Sequence, residues 1–212
     1  SEMCIRDSHG NTLTGGVGCI VMNCNPFTKG HLALITYAAS RCSLLHIFVV
    51  EEDRSLFPFE VRMRLVKEGT AHLPNVKVHP SGPYMISSAT FPTYFLKKGE
   101  DAARIQSELD ITLFASRIAP LFHITKRFAG EEPLDPVTRD YNEAMIRLLP
   151  QYSISFIKIA RTTAETPEGN PEVISASRVR KLLAETGVTE EVLQLVPPCT
   201  AQYLKNEFGA RP

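Results

Sequence analysis

Two short stretches of the chain combine residue types that hold and polarise phosphate. The first is Asn23-Cys24-Asn25-Pro26-Phe27-Thr28-Lys29-Gly30-His31. Pro26 disfavours a helical Asn25 and sharpens a turn there. Thr28 is suited to cap a following helix, which places Gly30 and His31 in its first turn. A helix start offers unpaired N–H groups and the positive end of the dipole, together an anion site. Gly30 puts no side chain between that backbone and a phosphate. His31 can donate a hydrogen bond to an oxygen that gains charge. It also falls on an apolar stripe with Leu34, Ile35 and Ala38, where a satisfied core histidine is the alternative, and spacing does not choose between the two.

The second stretch lies far along the chain, at Ile174-Ser175-Ala176-Ser177-Arg178-Val179-Arg180-Lys181. Ser175 or Ser177 can cap a helix and open its N-terminus to an anion. Three cations follow within about a turn, where they oppose the dipole at a cost of a few tenths of a kcal/mol unless an anion compensates. Such a local violation points to function, with a solvated basic face as the alternative. Arg178 and Arg180 stand about 200° apart around a helix, so they do not reach the same phosphate.

These stretches need a frame, and the hydrophobic pattern supplies one. GCIVMNCN is a short apolar run ended by Asn25-Pro26. Helical periodicity follows over 29–40, and LLHIFVV at 44–50 reads as a strand buried on both faces. Further helices are expected at 59–71, 101–118 and 136–149, and strands at 76–79, 124–128 and 154–159. A helical segment runs from 177 to the end, broken by Gly187 and Pro197-Pro198. Strands alternating with helices predict an α/β fold with a doubly wound parallel sheet. Its ligand belongs at the carboxyl ends of the strands.

Composition narrows the class. The 212 residues carry 23 Lys+Arg and 23 Asp+Glu, and 43% are hydrophobic. Zero net charge argues against a broad basic face for nucleic acid. No apolar run reaches membrane-spanning length. Five cysteines without CxxC spacing read as free thiols in a reducing, cytoplasmic setting. Cys19, Cys42 and Cys199 sit in apolar company, whereas Cys24 falls inside the first motif. His72, His79 and His123 lack metal-ligand spacing, so no protein metal site is expected, and His46 reads as a hydrogen-bonded core residue. SEMCIRDS at 1–8 resembles a translated sequencing-adaptor peptide, and 9–16 reads as a polar linker. One domain is then expected over 17–212.

Thr28-Lys29-Gly30-His31 matches the (H/T)xGH element of the nucleotidylyltransferase superfamily, and 174–180 resembles its distal ISxTxIR-like element. The likeness narrows to the nucleotidylyltransferase-like domain of the citrate lyase ligase family. It is carried by IVMNCNPFTKGH at 20–31, LHIFVVEEDRSLFPFEVRMRLV at 45–66, SSATFPTYFLK at 87–97, RFAGEEPLDPVTRDYN at 127–142, ISASRVRKLL at 174–183 and LVPPCTAQYL at 195–204. Lys29 departs from the apolar residue often found there. That family usually carries an acetyltransferase-like domain at the N-terminus, which the resemblance leads one to expect outside residues 1–212.

The resemblance implies a Rossmann-like fold that binds ATP, with His31 and Arg180 as the catalytic pair on the triphosphate. Asn25, Phe27, Thr28, Lys29, Gly30, Gly130, Ser175, Ser177 and Arg178 would complete the nucleotide site. It further implies activation of acetate to acetyl-adenylate with Mg²⁺ on the phosphates. The acetyl group would then pass to the phosphoribosyl-dephospho-coenzyme A thiol of the citrate lyase acyl carrier subunit. No nucleic acid or membrane partner is expected. Two other readings use the same residues: adenylation of a phosphorylated cofactor precursor, and a non-catalytic ATP-binding module. Arg54 as a phosphate contact, and 87–95 as a lid or a pocket wall, are weaker expectations.

Overall fold

The computed structural model describes residues 15–51, 55–82, 85, 100–131, 136–165 and 169–209. Arg54 and the 87–97 block lie outside them. Five strands form one parallel sheet: β1 (Val17–Met22), β2 (Leu44–Val49), β3 (Val76–Pro80), β4 (Lys126–Gly130) and β5 (Ser155–Ile159), in the order β3-β2-β1-β4-β5. The order reverses between β1 and β4, so a crevice opens at their carboxyl ends, where doubly wound sheets take ligands.

The period-two alternation of the strands sorts side chains onto two faces. Ile20, Met22, Ile47 and Val49 pack against α1 (Lys29–Ala39) and α2 (Phe59–Thr70) through Ile35, Ala38, Leu65 and Val66. Cys19 and Phe48 face the other way. They meet α3 (Glu100–Leu113) and α4 (Pro136–Leu148) through Ile111, Tyr141 and Met145. A third cluster joins Phe57 and Ile174 to α5 (Ala176–Thr186), α6 (Glu190–Gln194) and α7 (Pro198–Phe208). It seats the distal motif beside the sheet. No described helix is long and apolar enough to cross a membrane.

Three local features differ from the sequence-based expectation. The helix expected over 101–118 ends as α-helix at Leu113, winds into a π-turn over Phe114–Ile118 and tightens into a 3₁₀ turn over Ala119–Phe122. His123, in the left-handed region, stops it. The Ile124 N–H then closes back onto the Ala119 carbonyl at 2.9 Å, so β4 begins two residues later than its apolar pattern predicts. A small antiparallel hairpin of β6 (Thr163–Glu165) and β7 (Pro171–Val173) was not expected. Its short, mostly exposed strands carry no apolar alternation.

The described cysteines behave as small hydrophobes. Cys19, Cys24 and Cys42 are buried and Cys199 is half-buried, all unpaired. Burial pushes the Cys19 thiol up to about 12 and raises the other three as well. Cys24 therefore carries no thiolate despite its place in the motif. His46 is buried with its Nδ1 2.9 Å from His79 Nε2, the bonded core histidine its strand position implied.

Candidate active site

Helix α1 begins with a reciprocal cap that explains the spacing of Thr28 and His31. Thr28 is extended and its Oγ1 accepts from the His31 N–H at 3.3 Å. The Thr28 N–H donates back to His31 Nδ1 at 3.0 Å. This is a capping box with histidine where glutamate or glutamine is usual. Accepting at Nδ1 places the proton of the neutral ring on Nε2, which has no protein partner among the described residues. Burial, reinforced by the nearby charges of Arg161 and Arg180, lowers His31 to about 4. The ring is thus an uncharged N–H donor at neutral pH. Its two alternatives merge: the imidazole is satisfied on one side and open to a cavity on the other.

The rest of the loop is held from below. The Asn25 Oδ1 accepts from the Phe57 N–H at 3.0 Å. Fully buried Arg62 on α2 donates through Nε to the Phe57 carbonyl and through Nη1 to Asn23 O, Asn23 Oδ1 and Val50 O, at 2.7–3.0 Å. One guanidinium therefore ties the ends of β1 and β2 to the loop. Nothing in the periodicity of α2 marked it beyond a charge among apolar neighbours.

The distal motif arrives from the opposite side. Ser175 caps α5, its Oγ accepting from the Arg178 N–H at 3.1 Å. Arg180 reaches across to donate to the Asn25 carbonyl at 2.6 Å and to Ser177 Oγ at 3.2 Å. That contact joins the two motifs. Burial lowers the Arg180 guanidinium from its usual value, as for a charge held partly out of water.

A cavity of about 730 Å³ lies between them, lined by Asn25, Thr28, Gly30, His31, Gly130, Ser175, Ser177 and Arg180 among others. That is the size of a small-molecule or cofactor site. Its described lining holds three arginines (Arg127, Arg161 and Arg180) and no carboxylate. Arg127 is engaged at the floor, over the Phe114 ring at 4.4 Å.

Three expected nucleotide contacts sit elsewhere, each for a physical reason. Arg178 is buried and turned to Glu172 and Glu191, each at 3.2 Å, so carboxylates from β7 and α6 compensate its charge. Lys29 is exposed and does not line the cavity; its N–H is taken by the Leu195 carbonyl at 2.9 Å. Phe27 is fully buried and stacks against the His31 ring, centroids 6.1 Å apart. It supports the histidine from beneath.

The two glycines of the cavity differ. A side-chain carbon at Gly30 would lie 2.7 Å from the Ile174 carbonyl, so packing between α1 and the distal motif already demands glycine. At Gly130 the nearest atoms are 3.8 and 3.9 Å away, on Arg161. The protein would accommodate a methyl there, so its absence keeps space open toward the cavity. Among the described residues no group of three or more His, Cys, Asp or Glu side chains is placed to hold a metal ion.

A family model described as the citrate lyase ligase C-terminal domain matches residues 17–204. The chain belongs to that family. A [Citrate [pro-3S]-lyase] ligase from Escherichia coli strain K12 is 45% identical over 190 residues, covering 90% of this chain and 54% of that protein. One from Klebsiella pneumoniae is 44% identical over 192 residues, covering 89% and 54%. The chain thus spans about half the length of the curated citrate lyase ligases it matches. Among solved structures, Thermotoga maritima TmcAL bound with alpha-thio ATP superposes with a TM-score of 0.52 at 14% identity, over 91% of this chain and 56% of that one. That likeness shows a shared α/β fold.

Proposed function

We propose that this domain activates acetate with ATP and serves the acetylation of a citrate lyase acyl carrier subunit. The observation that carries the reading is the cavity: cations and a neutral imidazole donor converge on it, and its described lining contains no carboxylate. Such a site receives a polyphosphate. Family membership supplies the class of reaction.

In this reading an acetate oxygen attacks the α-phosphorus and the bond to the β-phosphate oxygen breaks, giving acetyl-adenylate and pyrophosphate. The nucleophile is already an anion, so no general base is required. His31 Nε2–H and Arg180 stabilise charge as pyrophosphate departs. Thr28 and Phe27 hold the imidazole, and Ser177 and Asn25 hold the guanidinium, so orientation is set before substrate enters. Gly130 leaves room for the nucleoside. Mg²⁺ enters with ATP as the counter-ion of the substrate's phosphates. The sulfur of the phosphoribosyl-dephospho-coenzyme A arm then attacks the acetyl carbon. AMP leaves with the bridging oxygen, and the thiol proton passes to solvent.

The test is incubation of the protein with MgATP, acetate and hydroxylamine. Acetate-dependent acetohydroxamate with stoichiometric pyrophosphate is expected. Pyrophosphate released only with a phosphorylated precursor, or nucleotide bound without turnover, would overturn the reading.

A further inference from the structure

A third cation stands over the same cavity, from a segment that carries no motif. Arg161 lies two residues beyond β5 and lines the cavity. Its Nε donates to the carbonyl of Glu131, the residue after Gly130. The Glu131 N–H donates in turn to the Ile159 carbonyl at 2.9 Å, which ties the ends of β4 and β5 together. A carbon built on Gly130 would meet Arg161 Nε at 3.8 Å and Cγ at 3.9 Å, so the arginine stem runs across that glycine. The stem is thus fixed at its last aliphatic joint, and the Nη atoms are the part of the fork beyond that anchor.

Arg161 and Arg180 both act on His31. Each guanidinium charge disfavours the imidazolium, and that of Arg161 ranks ahead of that of Arg180. Arg161 comes from the end of β5 and Arg180 from α5, so the cations approach the imidazole from different elements. The hairpin joins their supports: the Ile174 N–H donates to the Thr162 carbonyl at 2.9 Å, so the residue after Arg161 is bonded to the residue before Ser175.

We propose that Arg161 is a second phosphate-contacting arginine, gripping the polyphosphate of the nucleotide from the β5 side while Arg180 grips it from α5. The inference rests on the nucleotide reading of this cavity, and its test separates the two. Calorimetric titrations of the full chain use α,β-methylene-ATP and adenosine as probes, with wild type, Arg161→Gln and Arg161→Lys. Loss of a charge-assisted bond to phosphate weakens the triphosphate analogue about tenfold or more in Arg161→Gln, with adenosine affinity retained. Arg161→Lys falls between, because lysine keeps the charge without the planar fork. Nuclear magnetic resonance titration of His31 gives a second readout: its midpoint rises toward the ordinary histidine value in Arg161→Gln. Equal affinity of wild type and Arg161→Gln for the analogue, or an equal loss of analogue and adenosine, overturns the proposal. If Arg161→Gln does not fold, an Arg161→Lys affinity equal to wild type does so. Failure of wild type to bind the analogue overturns the nucleotide reading itself.

Discussion

Gly30→Ala tests whether the two halves of the site are set by direct backbone contact. The added methyl would lie 2.7 Å from the Ile174 carbonyl oxygen, and ordinary contact begins near 3.4 Å, so roughly 0.7 Å of movement is required. Overpacking of this kind costs about 1–3 kcal/mol. Replacing glycine by alanine in a helix returns about 1 kcal/mol. The net loss is about 0–2 kcal/mol, a fall in Tm of at most about 8 °C for a chain of this length. The effect on turnover is larger, because Ile174 leads directly into Ser175 and the helix that bears Arg180. Misplacement on the order of 1 Å costs about 100-fold in rate. Thermal melting and pyrophosphate release should therefore dissociate: Gly30→Ala melts a few degrees lower while turnover falls about 10- to 100-fold. Gly130→Ala is the control. Its nearest neighbours stand at 3.8 Å or more, so Tm is retained while the KM for ATP rises. A Gly30→Ala protein that melts and turns over as wild type would refute this account of the contact. Gly130→Ala destabilised as much as Gly30→Ala would refute the distinction between the two glycines.

Other consequences follow from the same geometry. His31→Ala should lower kcat about 100- to 1,000-fold, the usual cost of one charge-stabilising donor, with the fold retained by circular dichroism; unchanged turnover removes His31 from the chemistry. Its proton equilibrium gives a signed pH prediction. His31 titrates near 4 when folded against about 6.5 when exposed, so the unfolded chain binds more protons between those values. Its contribution to stability is thus lost as pH falls from about 6.5 to about 4, and catalysis through the neutral ring survives below pH 6. An acid limb with its midpoint at the ordinary histidine value, absent in His31→Ala, would contradict that. Arg180→Ala should weaken ATP binding with little loss of Tm. Arg178→Ala should do the reverse, because its partners are Glu172 and Glu191. Calorimetry on both variants reads the order, and the opposite order refutes the assignment.

The sheet, the helices around it and the two motifs were legible in the sequence because each has a local cause. Apolar runs and their punctuation mark β1, β2, α1 and α2, and Thr28 announces the start of α1. Long-range partners left no such trace. The cations at the start of α5 look like an anion site from sequence, yet Arg178 is compensated by Glu172 and Glu191 across the tertiary structure. Only Arg180 turns to the cavity, consistent with the 200° separation expected on a helix. Arg161 was invisible because the β6–β7 hairpin separates it in sequence from the motif it accompanies in space. His31 combines the two readings its spacing allowed, since its Nδ1 is satisfied within a helix cap while the residue lines the cavity. A T-x-x-H pattern at a helix start is readable as a capping box, with histidine in the position usually held by glutamate.

The proposed activity turns on attack of acetate at the α-phosphorus of ATP. Turnover with acetate labelled with ¹⁸O in both carboxylate oxygens, in the presence of an acceptor thiol, tests it most directly by mass spectrometry of the nucleotide product. AMP carrying one ¹⁸O, left behind when the acetyl carbon–oxygen bond breaks, and unlabelled pyrophosphate are expected. Label in a released phosphate, with ADP as the nucleotide product, would contradict it.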